Sequence, residues 1–182
     1  MNSDEQRQIL RWARETIQSV VSGGKVPRIE PTAALCAPHA AFVTLKKHGQ
    51  LRGCIGMMDF DRPLWENVQR AAVASALHDP RFPPVSAAEL PDLRLEVSVL
   101  EPPRPIASAE QFEVGRHGII LELGRHHGLF LPQVAVEEGW DRDKTLEMLC
   151  YKAGLPPGAW RDPQARLSVF EAVVFGEESP TR

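Results

Sequence analysis

Residues 51–56, with the sequence LRGCIG, carry the side chain best suited to chemistry, a cysteine thiol with glycines on either side. Arg52 is predicted to lie two residues before Cys54 on the same strand face, where its charge would favour the reactive thiolate or bind an anionic group of a substrate. Gly53 and Gly56 would allow close backbone approach by a ligand or an unusual local conformation. The alternative is that Cys54 is a small buried apolar residue, which is the more common role of a free cysteine.

A nucleophilic cysteine needs a base within hydrogen-bond reach, and the candidates are His117 and Glu96. His117 lies in an Arg-His-Gly segment, and Glu96 lies on the polar side of an alternating strand. Each has an ordinary structural alternative, since a histidine can shape a turn and a glutamate can pair with a surface arginine. Gln133, which follows a proline, would donate its amide to a substrate or cap the next turn.

Asp79 and Arg81 flank Pro80 in a rigid loop, and form a second candidate constellation. The Arg81 guanidinium would orient a substrate carboxylate or phosphate; alternatively the pair only pins the loop. His126 and His127 are adjacent at a predicted hairpin tip and therefore point to opposite faces, which does not make a chelating pair. We accordingly predict no metal site and no cofactor.

Composition narrows the classes of function that remain. The chain has 182 residues, of which 43% are hydrophobic and 25% charged, and a net charge of -3. These values are typical of one globular domain over residues 1–182 and make nucleic-acid binding unlikely, because the basic residues form no block. No apolar run is long enough for a membrane span, and no secretory signal, phosphate loop, HExxH or GxSxG motif is present. Three cysteines without CxxC spacing favour a reducing, cytoplasmic location.

The first half of the chain reads as a helix followed by a hairpin and a second helix. Apolar residues recur every three or four positions over residues 4–21, with Ser3 as the predicted N-cap, so residues 1–22 form an N-terminal helical segment. Residues 40–47 and 51–57 are predicted strands joined by a turn at residues 48–50. A second helix begins with Asp61 as its N-cap and ends near Asp79.

The second half alternates short strands with helices. Strands are predicted from Leu93 to Val99, over residues 118–123 and 128–131, and over residues 167–175. Capping boxes begin short helical turns at residues 86–89 and 108–111, Asp141 begins a further helix, and residues 176–182 form a polar tail. We therefore predict an α+β fold, with helices flanking a mainly antiparallel sheet.

Seven segments taken together resemble the AMMECR-one domain family, in order and spacing, from about Phe42 to Phe175. They are FVTL at 42–45, LRGCIG at 51–56, DPRF at 79–82, LEVSVL at 95–100, HG at 117–118, LFLPQV at 129–134 and KAGL at 152–155. Ala40 replaces an expected glycine, and Met57 and Met58 replace smaller residues; both departures adjoin the candidate site.

This resemblance implies two intertwined α/β parts, with residues 51–56 facing a cleft. Prokaryotic members are named AmmeMemoRadiSam system protein A, which implies a Memo-like protein and a radical S-adenosylmethionine enzyme as partners. The leading hypothesis is a thiol-dependent enzyme or enzyme component in which Cys54 is the nucleophile or hydrogen-atom donor, and the other candidate residues complete the pocket. The rival hypothesis is a non-catalytic module that binds a small molecule or a protein in the same cleft. The resemblance does not supply a reaction.

Overall fold

The computed structural model describes residues 1–177, which form helices and two four-stranded sheets. The predicted α+β fold with antiparallel sheets is confirmed. The chain divides into two compact units, of which the second is Glu101–Ala172 and the first contains the chain on both sides of it. The helices are α1 (Ser3–Val21), α2 (Leu64–Leu77), α3 (Pro132–Glu137) and α4 (Arg142–Lys152). The strands are β1 (Ala40–Lys47), β2 (Gln50–Met57), β3 (Leu93–Leu100), β4 (Arg104–Ile106), β5 (Gly118–Leu123), β6 (His126–Phe130), β7 (Arg166–Phe170) and β8 (Ala172–Gly176).

The sheet of the first unit has the strand order β2-β1-β3-β8, which leaves β2 at an edge. Its core lies between one sheet face and the helices α1 and α2, because alternate residues of β1 and β3 are fully buried against apolar helix residues. The buried side of α2 is rich in small residues, among them Ala71, Ala72 and Ser75. Small side chains allow a helix backbone to come close to the sheet, and this closeness shapes the segment around Cys54.

A β-bulge interrupts the β1–β2 hairpin. The turn residues His48 and Gly49 both have positive φ, which fits a two-residue hairpin turn, and Lys46 pairs with Leu51 beyond it. Leu45 then pairs with Gly53, so Arg52 is the extra residue on β2. The bulge shifts the register of everything that follows, and Cys54 therefore lies opposite Thr44.

The second unit is built on a sheet with the order β4-β7-β5-β6. Ile119 and Leu121 of β5 and Leu146 and Leu149 of α4 are fully buried in its own hydrophobic core. The helix α4 begins at the predicted N-cap, since the Asp141 carboxylate accepts a hydrogen bond from the Lys144 backbone N–H at 2.8 Å.

Several predicted boundaries were wrong. Asn2, and not Ser3, caps α1, because its side chain accepts backbone N–H bonds and Glu5 completes a capping box. Pro63, and not Asp61, precedes α2. The single strand predicted over residues 167–175 is two strands, β7 and β8, which belong to different sheets.

Other elements were not predicted or were misplaced. The proline-rich segment after β3 contains the short strand β4, and α3 follows Leu131 where only a turn was expected. His126 and His127 lie within β6 and not at the hairpin tip. Two capping boxes were predicted correctly, at Ser86 with Glu89 and at Ser108 with Gln111.

The predicted polar tail, residues 176–182, falls mostly beyond the described part of the chain. Gly176 ends β8, so the tail begins later than predicted, and residues 178–182 lie outside the described residues. Among the described residues, no helix is long and apolar enough to cross a membrane.

Candidate functional site

Cys54 lies on the edge strand β2, with its side chain on the sheet face turned away from α2. The neighbouring Gly53 faces α2, and successive strand residues alternate between faces, so Cys54 faces the other way. The Thr44 hydroxyl oxygen is 3.2 Å from the Cys54 Sγ, and the thiol is half-buried. The bulge therefore places the thiol beside a hydroxyl on a partly accessible sheet face.

An ion pair holds the backbone of Cys54 from both sides. The Asp79 carboxylate accepts the Cys54 N–H at 2.8 Å, and Arg81 Nη2 donates to the Cys54 carbonyl oxygen at 3.0 Å. Arg81 also binds the Asp79 carboxylate through Nε at 2.9 Å and Nη2 at 2.7 Å. Because β2 is an edge strand, these groups satisfy backbone atoms that no neighbouring strand pairs with, and they fix the position of Cys54.

The charges of this pair reinforce each other. The hydrogen bonds from Arg81 hold the pKa of the buried Asp79 carboxyl well below its usual range, although burial acts in the opposite direction. The pKa of Arg81 is raised, mainly by its hydrogen bond to Asp79 and to a smaller extent by the charge and side-chain hydrogen bonding of Cys54. Arg81 is therefore a cation held beside Cys54 through the backbone carbonyl of that residue.

Arg52 does not have the position predicted for it. As the bulge residue it is out of the strand alternation, and its guanidinium donates to the Glu89 carboxylate through Nε at 2.9 Å and Nη2 at 3.1 Å. Lys47 Nζ reaches the same carboxylate at 3.2 Å. The hydrogen bonds from Arg52, the largest cause, and from Ser86 lower the pKa of Glu89 well below its usual range. The prediction that Arg52 shares a strand face with Cys54 was wrong, whereas its roles in favouring the thiolate or binding an anionic group stay predictions.

The protein's own atoms fill the space next to both glycines. A Cβ on Gly53 would lie 2.3 Å from the backbone oxygen of Ser75 in α2, and one on Gly56 would lie 2.3 Å from the Phe42 ring. The Ser75 hydroxyl also accepts the Ile55 N–H at 2.8 Å and donates to the Val43 carbonyl at 2.7 Å. The predicted close approach is therefore made by α2 and by β1. A ligand contact at Gly53 or Gly56 stays a prediction.

Glu96 lies in the same row of residues as Cys54 but is one strand further away. It is opposite Thr44 on β3, and its carboxylate accepts a hydrogen bond from Lys46 Nζ at 3.0 Å. Two strand spacings separate Glu96 from Cys54, or about 10 Å between the Cα atoms. A catalytic role of Glu96 stays a prediction.

His117 and Gln133 belong to the second unit. The buried His117 ring accepts the Glu113 N–H at its Nδ1 at 3.1 Å, and its Nε2 lies 3.5 Å from Arg104 Nη2. The His117 N–H also donates to the Glu113 carbonyl at 3.0 Å, which is the turn-shaping geometry of the structural alternative. Gln133 is in α3, and its Oε1 is buried without a hydrogen-bond partner among the described residues. Their predicted roles beside Cys54 stay predictions.

Thr44, Ser75 and Asp79 contribute to the site but were absent from the predicted set of site residues. Asp79 had been recognised as a partner of Arg81, yet its bond to the Cys54 backbone joins residues 25 positions apart. The two hydroxyl groups belong to a strand and a helix that only the folded unit brings against β2. Chemically, the arrangement offers a thiol at a fixed position, with a hydroxyl and a guanidinium to stabilise its anion.

Over residues 1–177 no group of three or more His, Cys, Asp or Glu side chains is arranged to hold a metal ion.

Comparison with known proteins adds a family and a fold. A family model described as AMMECR1 matches residues 10–175, which extends the predicted match towards the N-terminus. The protein MK0488 of Methanopyrus kandleri is 46% identical, with 94% of this chain and 88% of that protein covered. A protein of Thermococcus gammatolerans is 43% identical, over 94% of this chain and 90% of its own. The crystal structure of the uncharacterized protein PH0010 from Pyrococcus horikoshii superposes with a TM-score of 0.90 at 40% identity, over 99% of this chain and 95% of that one.

Proposed function

This chain belongs to the AMMECR1 family, and from that premise we propose that it is a thiol-dependent enzyme or enzyme component centred on Cys54. The observation that carries the proposal is the position of Arg81, which binds Asp79 and donates to the Cys54 carbonyl, so that a cation is held beside the residue that carries the thiol. A buried carboxylate and a guanidinium both bind the backbone of this one edge-strand residue, which indicates that its position matters.

The proposed chemistry is attack by the Cys54 thiolate on an electrophilic centre. The thiol loses its proton to solvent, and the resulting anion is stabilised by the Arg81 guanidinium and by the Thr44 hydroxyl, which donates to sulfur. The new bond forms between Sγ and the electrophilic atom, while the bond to the leaving group breaks and its electron pair departs with that group. Arg81 thus takes the thiolate-stabilising role that the sequence assigned to Arg52.

Alkylation by iodoacetamide near neutral pH tests this proposal, with each cysteine quantified by peptide mass spectrometry. The exposed Cys36 is the reference thiol, and the buried Cys150 reports any unfolding. A hydrogen bond to a charged group contributes about 1.5 kcal/mol or more, so Cys54 should react about 10-fold faster than Cys36 despite being less exposed. Equal or slower labelling of Cys54 in the folded protein would contradict an activated thiol.

The binding-module alternative would be favoured by that second result. In that case the half-exposed guanidinium of Arg81 would serve as an anchor for a ligand, and Cys54 would serve in packing. Retention of the fold after Cys54→Ser, together with unchanged ligand binding, would separate the two functions.

A partnership with a Memo-like protein and a radical S-adenosylmethionine enzyme, in the cytoplasm, is part of the same proposal. Its support is family membership together with the reduced state expected of three unpaired cysteines. Reconstitution with each candidate partner, followed by mass spectrometry of residues 51–56, tests it. A partner-dependent mass change at Cys54 or a flanking glycine is expected, and an unmodified segment with no complex would refute the partnership.

A further inference from the structure

The Arg81 guanidinium is only partly occupied by the protein. An arginine has five N–H donors, and oxygen atoms of the described residues accept three bonds from it: one at Nε and two at Nη2. Neither donor of Nη1 is bonded to an oxygen atom of the described residues. The side chain is 54% exposed, whereas its partner Asp79 is 2% exposed, so the unused end of the fork is the accessible one.

The position of this unused end is fixed relative to the thiol. The Asp79 carboxylate holds one edge of the guanidinium, the Cys54 carbonyl holds Nη2, and the Phe82 ring lies 5.6 Å from the guanidinium carbon. Because Nη2 of the same guanidinium lies 3.0 Å from the Cys54 carbonyl oxygen, a group bound at Nη1 would lie close to the Cys54 side chain.

We propose that Nη1 of Arg81 is an anion subsite of the Cys54 site, which receives the carboxylate of a small substrate whose electrophilic carbon lies against Sγ. This assignment rests on the proposed function, and it adds the chemical class of the substrate. A singly charged carboxylate fits better than a phosphate dianion, because Asp79 already offsets most of the charge of Arg81 and would repel a second negative charge.

Iodoacetate and iodoacetamide make a matched pair of probes, since both transfer a two-carbon group to sulfur and release iodide with the bonding electron pair. They differ in that iodoacetate carries a carboxylate. The quantity measured is the iodoacetate rate divided by the iodoacetamide rate at Cys54, relative to the same quotient at Cys36 in the same protein. An exposed charge–charge contact is expected to raise this relative quotient about 5-fold, and added salt should reduce it towards one.

Two variants locate the effect. Arg81→Gln should abolish the preference for iodoacetate at Cys54. Arg94→Gln is the control, because Arg94 is on β3, which is separated from β2 by β1, and its guanidinium donates to the backbone carbonyls of Pro91 and Leu93. Its loss should leave the preference in place. If Arg81→Gln does not fold, as shown by reaction of Cys150, the salt dependence in the unaltered protein decides the question.

The possible failures are distinct. A slow reaction of Cys54 with both reagents overturns the proposed function. A fast reaction with iodoacetamide and a relative quotient of one, with no effect of salt, overturns the carboxylate subsite alone. A preference that survives Arg81→Gln but is lost in Arg94→Gln also overturns it, because the charge responsible would then be elsewhere.

Discussion

Two arginine–carboxylate pairs meet at the ring of Phe82, and they serve different purposes. The guanidinium carbons of Arg52 and Arg81 lie 5.9 and 5.6 Å from the ring centroid. Arg52 is 13% exposed and joins β2 to the segment that contains Glu89, whereas Arg81 is 54% exposed and holds the backbone of Cys54. The first pair is an ordinary ion pair that joins two segments of the chain, and the second positions a candidate nucleophile.

The difference teaches that closeness along the chain is a poor guide to closeness at the site. Arg52 is two positions from Cys54, but the bulge removes it from the same face and Glu89 occupies its guanidinium. Arg81 is 27 positions away and reaches the Cys54 backbone directly. Replacing each member of the two pairs separates their contributions.

Loss of the buried carboxylate should have the largest effect. Asp79→Asn weakens the bonds to Arg81 and Cys54, and we expect it to lower the free energy of unfolding by about 3 kcal/mol, since Asp79 is buried and Arg81 can be partly solvated. Glu89→Gln should cost about 1 kcal/mol, because Glu89 is more exposed. Urea denaturation measures both. An equal or larger loss in Glu89→Gln would show that the two pairs are not different in the way proposed.

The contribution of the same two carboxylates to the free energy of unfolding should depend on pH. The folded pKa values of Asp79 and Glu89 are lowered, so each contributes stability that is complete above its ordinary pKa, near 4, and is lost as the pH falls below that value. Between about pH 5 and about pH 3 the unaltered protein should lose about 1 kcal/mol more than Asp79→Asn does, because only the unfolded chain takes up a proton at this carboxyl in that interval. Urea midpoints at several pH values measure this. Parallel pH curves for the two proteins would mean that Asp79 titrates alike in the folded and unfolded chain.

The two arginines should also differ in their effect on the thiol. Arg81→Gln is expected to slow alkylation of Cys54 by iodoacetamide about 10-fold, because it removes the cation that is held beside Cys54. Arg52→Gln should slow it less than about 2-fold, since that guanidinium is bound to Glu89. Cys36 supplies the reference rate in each variant. The reverse order of effects would restore Arg52 to the role that its sequence position suggested.

Many of the helices and strands could be predicted from the sequence, because they depend on local sequence patterns. The hairpin strands, the capping boxes and the helix that Asp141 begins each depend on residues close in sequence. The break between β7 and β8 was not readable, because residues 167–175 carry a continuous strand-like pattern and only tertiary pairing assigns the two parts to different sheets.

The candidate site was readable only in part. The two-residue turn alone would place Thr44 opposite Gly53, and the extra residue at Arg52 shifts that partnership to Cys54. A one-residue shift also decides which face of the sheet the thiol occupies. The sequence of residues 51–56 does not predict the bulge, because the bulge is stabilised by contacts with Glu89 and α2 from distant parts of the chain.

The Thr44 hydroxyl should have the smallest measurable effect, and it tests whether the bulge register matters for reactivity. Thr44→Val keeps the β-branched shape but removes the oxygen 3.2 Å from Sγ, whereas Thr44→Ser keeps the oxygen. A neutral hydroxyl contributes about 0.5–1 kcal/mol, so Thr44→Val should alkylate at Cys54 roughly 3-fold more slowly than Thr44→Ser. Both rates are taken relative to Cys36 by peptide mass spectrometry. If the two variants react equally fast, the hydroxyl does not stabilise the anion, and Arg81 alone would account for any activation of the thiol.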